Sequence, residues 1–393
     1  MHCSAGRPAY AVSLEALISR QISREPISMA TRIVRGVIIL GACLYLLCVG
    51  AVENNLALAQ DETPLDFNNI LQMLDSSEKE YSYLGTKFVI DYTPSRRSTT
   101  LVKVTYGAPG WQKKEVSPLQ PGESPQIILD DGKFLWHYIP SQGSVIKKKQ
   151  RLSLGRISKR IHSQSKRIQQ NYDISIEQYP HTSSTVASRI PSVTGDVVVS
   201  FQPKAKDRPS WKIWIESEHG LIVRTEIYDV QGNLALLSAF SELTFQPKIS
   251  KKSFVMTVPK GTKIHKTTET YYRTIGEAQK AIGFAISRPQ YMPPGFELAS
   301  VIRIPTKRGE KVQLAYIDGM SSISVFEEKR AETLGHSQKS TKEVEIKQSV
   351  KGNFHDHGLL KILRWQLEQE FYVTLVGEVA DSELLKIAAS ITR

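Results

Sequence analysis

The spacing of apolar residues along the chain has two periods. Over residues 65–81, apolar side chains recur three and four positions apart, which predicts an amphipathic helix with one buried face. From Tyr83 onward apolar and polar side chains alternate, as in strands that bury one face. Short turns such as Asp131-Gly132 separate these segments, so the strands should form an antiparallel meander with helices over its apolar face. The predicted strands are 83–92, 99–106, 127–129, 134–138, 172–178, 196–202, 210–216, 221–229 and 234–245.

A polar segment separates this meander from a second set of elements. Residues 246–270 contain two Pro and many Lys and Thr, which is typical of a linker. After it, Thr274 and Glu277 have the spacing of a capping box and predict a helix at 278–285. We therefore place a first domain at 60–248, a linker at 249–272 and a smaller α+β domain with an antiparallel sheet at 273–393. Its predicted strands are 296–304, 311–316, 321–328, 341–350, 361–367 and 371–377, before a closing helix at 381–392.

The longest apolar run lies near the start of the chain, at residues 36–52. Basic residues precede it, and the small-residue site Ala57-Leu58-Ala59 follows it. This order is typical of a secretory signal peptide, with a start at Met29 and cleavage before Gln60, so that residues 1–59 are a signal region. An uncleaved membrane anchor is the alternative, because the run approaches the length that spans a bilayer.

Composition and charge narrow the class of protein. With 40% hydrophobic and 23% charged residues the chain is globular, which excludes a disordered or collagen-like protein. Cys3, Cys43 and Cys48 all precede Gln60, so the mature chain has no disulfide, thiolate metal site or Cys nucleophile. Cys43 lies in the middle of the apolar run, which disfavours a lipoprotein signal.

The mature chain has a net charge of about +10, and an exported basic protein is expected to meet lipid head groups, phosphorylated glycolipid or an acidic protein segment. Export argues against a nucleic-acid partner.

The sequence contains none of the common catalytic motifs, such as a phosphate-binding glycine loop or a Gly-x-Ser-x-Gly elbow. His355-Asp356-His357 is a close histidine pair, but Gly358 follows it and no third ligand is near, so a hairpin turn is the favoured interpretation. Asp130-Asp131 and Glu327-Glu328 are adjacent carboxylates, which point to opposite faces of a strand. We therefore expect no enzyme activity, no catalytic residue, no metal site and no cofactor.

The stretch between Asp131 and Asp173 has no acidic residue and many basic ones. Leu154, Ile157 and Ile161 recur within it at near-helical spacing, which predicts an amphipathic helix with a cationic outer face. One interpretation is a lid whose apolar side closes over acyl chains and whose basic rim pairs with phosphate or carboxylate groups. The other is a packed helix with a solvated outer face. The residues expected to contact anionic groups are Lys147, Lys148, Lys149, Arg151, Arg156, Lys159 and Arg160.

A curved sheet with one apolar face can bind lipid if its side chains do not fill it. Each buried CH₂ contributes roughly 0.8 kcal/mol, so one acyl chain could give on the order of 10 kcal/mol before ordering costs. Which face is inward depends on strand register, since a shift of one residue reverses the faces. The candidate cavity residues are Phe88, Ile90, Trp136, Val199, Trp214 and Phe240.

Several segments resemble the RseB/MucB family, in the same order along the chain. They are YLGTKFV at 83–89, the paired strands at 211–245, MPPGF at 292–296, YIDGMSSISVF at 316–326, VTLVGEV at 373–379 and the helix end IAASI at 387–391. Two features depart from the family pattern: residues 147–167 are more cationic, and Ala380 takes the place of a Pro.

The resemblance implies a periplasmic two-domain α+β protein. Its first domain would be a LolA-like antiparallel half-barrel covered by helices, and its second the family's smaller α+β domain. Such proteins are non-enzymatic envelope-stress regulators that bind the periplasmic domain of a membrane anti-sigma factor. Lipopolysaccharide, or the acyl chains of lipid or mislocalised lipoprotein, releases that partner. An oligomer is possible.

Two alternative functions stay open at this point. The first is a periplasmic carrier of lipid or lipoprotein that has no anti-sigma partner. The second is a secreted hydrolase, which would need a cluster of polar side chains that the sequence does not reveal.

Overall fold

The computed structural model describes residues 65–93, 97–120, 122–149, 156–179, 197–246, 248–266, 269–306, 309–329, 342–368 and 370–392. Its first element is helix α1, Phe67–Glu80. Asp66 and Asn69 cap this helix reciprocally, each side chain accepting the other's backbone N–H at 2.8 Å. The helix buries Ile70 and Leu74, which confirms the helical face predicted from the sequence.

Twelve strands form the first sheet, in the order β12-β6-β5-β4-β3-β2-β1-β11-β10-β9-β8-β7. In chain order they are β1 (Ser82–Asp91), β2 (Ser98–Gly107), β3 (Trp111–Pro118), β4 (Gln126–Asp130), β5 (Phe134–Ile139), β6 (Ser144–Lys149), β7 (Tyr172–Gln178), β8 (Val197–Pro203), β9 (Ser210–Glu216), β10 (Leu221–Tyr228), β11 (Leu234–Gln246) and β12 (Lys263–Lys266). All neighbours are antiparallel except β12 and β6, which are parallel. The two end strands, β12 and β7, do not pair, so the sheet is not closed.

Two short helices between β6 and β7 lie on the same side of the sheet as α1. They are α2 (Ile157–Ser163) and α3 (Ser165–Asn171), and they meet at Gln164. Ile161 and Ile168 are fully buried in one cluster with Ile70 and Leu74. The predicted amphipathic insertion is therefore confirmed as helical, but as two helices rather than one.

The second domain contains a sheet of eight antiparallel strands and two helices. Its strands are β13 (Thr270–Tyr272), β14 (Arg288–Pro289), β15 (Glu297–Thr306), β16 (Gly309–Ile317), β17 (Ser322–Lys329), β18 (Lys342–Lys347), β19 (Val350–His357), β20 (Leu360–Glu368), β21 (Phe371–Gly377) and β22 (Ile391–Thr392). The large sheet has the order β13-β15-β16-β17-β21-β20-β19-β18, and β14 pairs separately with β22. The helices are α4 (Ile275–Ile282) and α5 (Asp381–Ala389). The Thr274 hydroxyl accepts the backbone N–H of Glu277 at 3.2 Å, as the capping pattern predicted.

The predicted fold class, α+β with an open antiparallel sheet covered by helices before a smaller α+β domain, is confirmed. The sequence did not predict β3, β6, β12, β13 or the two-residue strands β14 and β22, and it merged the end of β18 with the start of β19. The closing helix, predicted at 381–392, ends at Ala389 and is followed by β22. The segment expected to be a linker, 249–272, contributes β12 to the first sheet and β13 to the second. The signal region, 1–59, lies outside the described residues. In the described part, no helix combines the length and the hydrophobicity needed to cross a bilayer.

Candidate functional site

Register assigns each side chain of the first sheet to one of two faces, because directly paired residues of an antiparallel ladder point to the same side. One row of paired residues crosses five neighbouring strands: Val89, Ser238, Thr225, Ile213 and Val199. Val199 and Ile213 pack in one cluster with Ile70 and Leu74 of α1. We call this side, which the helices cover, the inner face, and the opposite side the outer face.

The six candidate cavity residues lie on both faces. Val199 is on the inner face, and so is Phe240, because it pairs with Lys87, two positions from Val89. Phe88 falls in a row with Ala239, Arg224 and Trp214 on the outer face. Ile90 is also an outer residue, because it lies two positions from Phe88 on β1. Trp136 is an outer residue too, because its row of paired residues ends at Leu84, which shares a face of β1 with Phe88. The six therefore do not line one surface, since the alternation within a strand does not fix which of its two sides is inward.

The inner face is filled where the helices cover it. Val199 and Ile213 have no exposed surface, and neither do Ile161 and Ile168 of α2 and α3. Protein interiors packed in this way have no room for a ligand chain. The helices leave the inner face over β1–β5, which lies farther from this cluster, as the other part of the face to consider.

The inner face over β1–β5 combines apolar walls with two lysines. Lys87 and Lys114 point to this side, because they pair with Val102 and Val104 of β2, and each is half-buried. Burial, followed by the neighbouring positive charges of Lys87 and Arg156, lowers the pKa of Lys114 to about 7, although the charge of Asp130 opposes the shift. Burial also lowers the pKa of Lys87. One feature of the sequence predicts an inward-facing lysine here: Lys113 and Lys114 are adjacent in a strand, so one of them must face inward.

Two of the seven residues predicted to contact anions are held by a carboxylate of α1. The Glu78 carboxylate lies 3.4 Å from the Arg156 guanidinium and 3.6 Å from the Lys159 ammonium. The Ser158 hydroxyl also donates a hydrogen bond to Glu78. These cations join α1 to the start of α2 rather than standing free at a rim.

The other predicted cations have varied surroundings. Arg160 donates to the backbone carbonyl of Met320 in the second domain, at 2.9 Å. Lys147 lies 3.9 Å from the ring centroids of both Phe134 and Trp136, a cation–π arrangement on the outer face. Lys148 points to the inner face and Lys149 to the outer face by register. Arg151 lies outside the described residues.

A buried polar cluster joins the two domains, and sequence reasoning missed it. The Asp318 carboxylate, which is fully buried, accepts hydrogen bonds from the Arg208 guanidinium and the Tyr172 hydroxyl, each at 2.8 Å. It also accepts the backbone N–H groups of Met320 and Ser321 at 3.0 and 2.7 Å. Burial, followed by the charge of Asp318, raises the pKa of Tyr172 well above its ordinary value. The Asp318 carboxylate therefore accepts four hydrogen bonds, and two of the four donors, Arg208 and Tyr172, belong to the first domain.

Two glycine turns of the second domain place apolar side chains in the core of the first. Met320 and Leu359 belong to the cluster formed by Ile70 and its neighbours. Gly319 and Gly358, which precede them, have φ values of +119° and +74°. A Cβ on Gly358 would lie 2.0 Å from the Thr93 hydroxyl, so only glycine fits between the domains there. Each domain keeps its own core, and Met320 and Leu359 anchor the second domain in the core of the first.

Three other features of the described residues have the residue types of a small-molecule or metal site. Ile90 borders a small cavity of about 210 Å³, whose lining also includes Tyr92, Arg97 and Gln120. Among the described residues, Glu216, Glu218 and His219 form a group with the spacing of metal ligands. The Glu216 carboxylate already accepts the backbone N–H groups of Glu218 and His219, as a turn cap does. His355 and His357 stack at 6.0 Å beside the β19–β20 turn, where a hairpin turn was predicted.

These features define a class of protein: two domains docked through two apolar anchors and a buried polar cluster, the first domain having an open sheet whose inner face packs against helices. The family is identified by its N-terminal domain, described as the MucB/RseB N-terminal domain, which matches residues 66–258. The chain belongs to the MucB/RseB family.

Solved structures with this fold extend over both domains. The crystal structure of MucB in complex with MucA(peri) is 15% identical with a TM-score of 0.52, covering 83% of this chain and 98% of that chain. The complex structure of Pseudomonas aeruginosa MucA/MucB is 16% identical with a TM-score of 0.51, covering 82% of this chain and 97% of that chain. At these identities the likeness concerns the fold. No curated protein matches the chain in a sequence comparison.

Proposed function

We propose that this chain is a periplasmic, non-enzymatic regulator that binds the periplasmic domain of a membrane anti-sigma factor and responds to lipid. The observation that carries the proposal is the MucB/RseB N-terminal domain at residues 66–258. The structures of MucB with MucA(peri) support the choice of partner, because the fold they share includes both domains of this chain. The export signal predicted at residues 1–59 supports the location.

The lipid response is proposed for the inner face over β1–β5. Val102 and Val104 are apolar residues of this face, and Lys87 and Lys114 supply its positive charge. Both valines are packed against Tyr83, Tyr106 and Phe240, so an acyl chain would reach them by displacing those side chains, and its anionic head group would meet the lysines. Binding at this face would then be coupled to the partner through the contacts between the domains, by differential affinity for the free and partner-bound states.

Binding to the partner tests the proposal directly. The chain starting at Gln60 would be titrated against the immobilised periplasmic segment of the single-span anti-sigma factor encoded in the same genome. We expect saturable binding, and we expect added anionic lipid to lower it. The control is the exported segment of an unrelated single-span protein, which should not bind.

An alternative is a carrier of lipid or lipoprotein without an anti-sigma partner, which the same apolar residues would serve. Co-purified lipoprotein together with no binding to any anti-sigma segment would favour this alternative and contradict the regulator. Binding that lipid leaves unchanged would contradict only the lipid response.

A further inference from the structure

The two large sheets end in four strands, β7 and β12 in the first and β13 and β18 in the second. An end strand presents N–H and C=O groups to which another extended chain can add as a further strand. The four differ in charge: β7 and β18 each contain two carboxylates, and β13 contains no charged residue. In β12, with the sequence KIHK, there is no acid and all four side chains are exposed. Among the described end strands, β12 is therefore the basic one.

The backbone of β12 has hydrogen-bonding groups that point away from its neighbour β6. The Lys263 N–H donates to the Gly143 carbonyl at 3.0 Å, so Lys263 directs its backbone groups toward β6. Successive residues of a strand direct these groups to opposite sides. Ile264 and Lys266 consequently direct their N–H and C=O groups to the free side, where none of the described strands pairs with them.

Lysines lie beside this free side on both faces of the sheet. Residues 144–149 and 260–266 together contain six lysines and no acid. By register, Lys266 shares the outer face with Lys147, whereas Lys263 and Lys148 point to the inner face. Within the described ranges, no carboxylate forms an ion pair with Lys148, Lys263 or Lys266. The edge thus has a positive potential that an anionic partner would neutralise.

Charge and backbone geometry together select the kind of partner. A second copy of β12 would bring lysines against lysines, which is how edge lysines oppose self-association. An anionic membrane surface would neutralise the lysines and leave the free N–H and C=O groups of Ile264 without partners of matching geometry. An extended acidic peptide supplies both, because its backbone matches the edge and its carboxylates on either face meet lysines.

We propose that β12 is a docking edge for an extended acidic segment of another protein, which adds as a strand beside Ile264 and places carboxylates near Lys263 and Lys266. The docking edge depends neither on the lipid response nor on an anti-sigma partner, because any extended acidic segment has the required chemistry. It lies at the opposite end of the first sheet from β7.

Two changes to the full mature chain test the backbone and the charge separately. Ile264→Pro removes the free N–H and keeps the hydrogen bonds between β12 and β6, which Lys263 and His265 make. Ile264→Val is its matched control, because it keeps the N–H. The double change Lys263→Gln with Lys266→Gln removes charge from β12.

The control for the charge change is the same double replacement on another end strand, Lys342→Gln with Lys347→Gln on β18. Because all of these side chains are exposed, thermal unfolding should be nearly unchanged in every variant, so lost binding would not reflect unfolding.

The probes are short fluorescent peptides, measured by anisotropy. The first alternates Glu and Val, the second is the same peptide with every amide N-methylated, and the third alternates Lys and Val. We expect the wild type to bind the first at least about tenfold more tightly than either other peptide. Ile264→Pro and the β12 lysine variant should each lose about tenfold in affinity, whereas Ile264→Val and the β18 variant should bind as the wild type does.

The contrary results are distinct. Equal affinity of the wild type for the first peptide and its N-methylated form, or of the wild type and Ile264→Pro for the first peptide, would overturn strand addition. Equal losses in the β12 and β18 lysine variants would overturn β12 as the site. Binding to phosphatidylglycerol vesicles that the β12 lysines support, with no binding of the acidic peptide, would replace the peptide by a membrane surface. Each of these results would leave the proposed binding of an anti-sigma factor standing.

Discussion

Asp318 and Lys114 show two ways in which single residues of this chain hold a charge away from bulk water. Asp318 is surrounded by donors from both domains, including Arg208 and Tyr172. Lys114 has apolar neighbours and other cations instead, and its pKa falls to about 7. The hydrogen bonds to Asp318 stabilise the folded state. The unpaired charge of Lys114 lowers the free energy of unfolding, and a bound anion would remove that loss.

The lowered pKa of Lys114 predicts a pH dependence of stability. Between pH 7 and about 10.5 the unfolded chain keeps this proton and the native chain has lost it, so the free energy of unfolding should rise with pH in that window. Lys114→Met should be more stable than the wild type below pH 7, and its advantage should shrink by about 1 kcal/mol by pH 9.

Urea unfolding at pH 6.5, 8 and 9 measures this difference, with Lys103→Met as the control that stays parallel to the wild type. Parallel curves for Lys114→Met and the wild type would show that the native ammonium is as well solvated as an exposed one.

At the scale of elements, the end of α1 is joined to α2 by one carboxylate. Glu78 is mostly buried and meets Arg156, Ser158 and Lys159, all near the start of α2. Its backbone carbonyl accepts the Tyr106 hydroxyl at 2.7 Å, which ties the same turn to β2. The basic helix is thereby turned toward the sheet, which explains why its cations do not form a free rim.

Replacement of Glu78 by Gln should therefore destabilise the fold. The change leaves Arg156 and Lys159 without their counter-charge, and we expect the free energy of unfolding to fall by about 2 kcal/mol. Glu80→Gln, at an exposed position of the same helix, should change it by less than about 0.5 kcal/mol. Equal stabilities of the two variants in urea unfolding would show that the ion pairs of Glu78 contribute nothing measurable.

At the scale of the whole molecule, the domains are joined by more than their connecting segment. Arg160, Asn171 and Arg208 of the first domain bond to backbone carbonyls of the second, at Met320, Gly295 and Pro294 respectively. The motifs at 292–296 and 316–326, which carry part of the family resemblance, supply most of these contacts. Their glycines are explained by this interface, where Gly295 and Gly319 approach Asn171 and Ile168.

Asp318→Asn tests how strongly this interface supports the fold. The amide leaves Arg208 and Tyr172 facing a neutral group, and removal of one partner from a buried pair predicts a loss of about 3 kcal/mol. Asp356→Asn makes the same chemical change at an exposed turn cap and should cost less than about 0.5 kcal/mol. Two separate unfolding transitions already present in the wild type would show that these contacts between the domains do not couple their unfolding.

The sequence predicts individual strands and helices better than it predicts which of them pack or pair with one another. Alternation along β9 and β10 was enough to place those strands. It failed for β3, where Trp111, Lys113 and Glu115 alternate with Gln112, Lys114 and Val116 and neither set is apolar. The exposed strand β12 gave no periodic signal either, because all four of its residues face solvent.

The candidate site was harder to predict because its parts are distant in sequence. Arg208 and Asp318 are separated by 110 positions, and nothing local to either shows that they meet. The candidate cavity residues include Phe88 and not its neighbour Lys87, because the sequence alone does not reveal that Phe88 is the outward residue. Charge counting did identify the basic insertion, but not the acid, Glu78, that receives it.

Met320 and Leu359 should hold the two domains together even when the chain that connects them is cut. The stretch from Val255 to Thr262, between β11 and β12, runs through largely solvent-accessible positions, and Val255 itself is 65% exposed, so a cut there would leave β12 on the fragment that carries the second domain. A protease that cut there would separate the halves chemically while every contact of these two anchors stayed intact. The nicked molecule would remain assembled, and the halves made as separate chains would complement each other as two fragments of one protein.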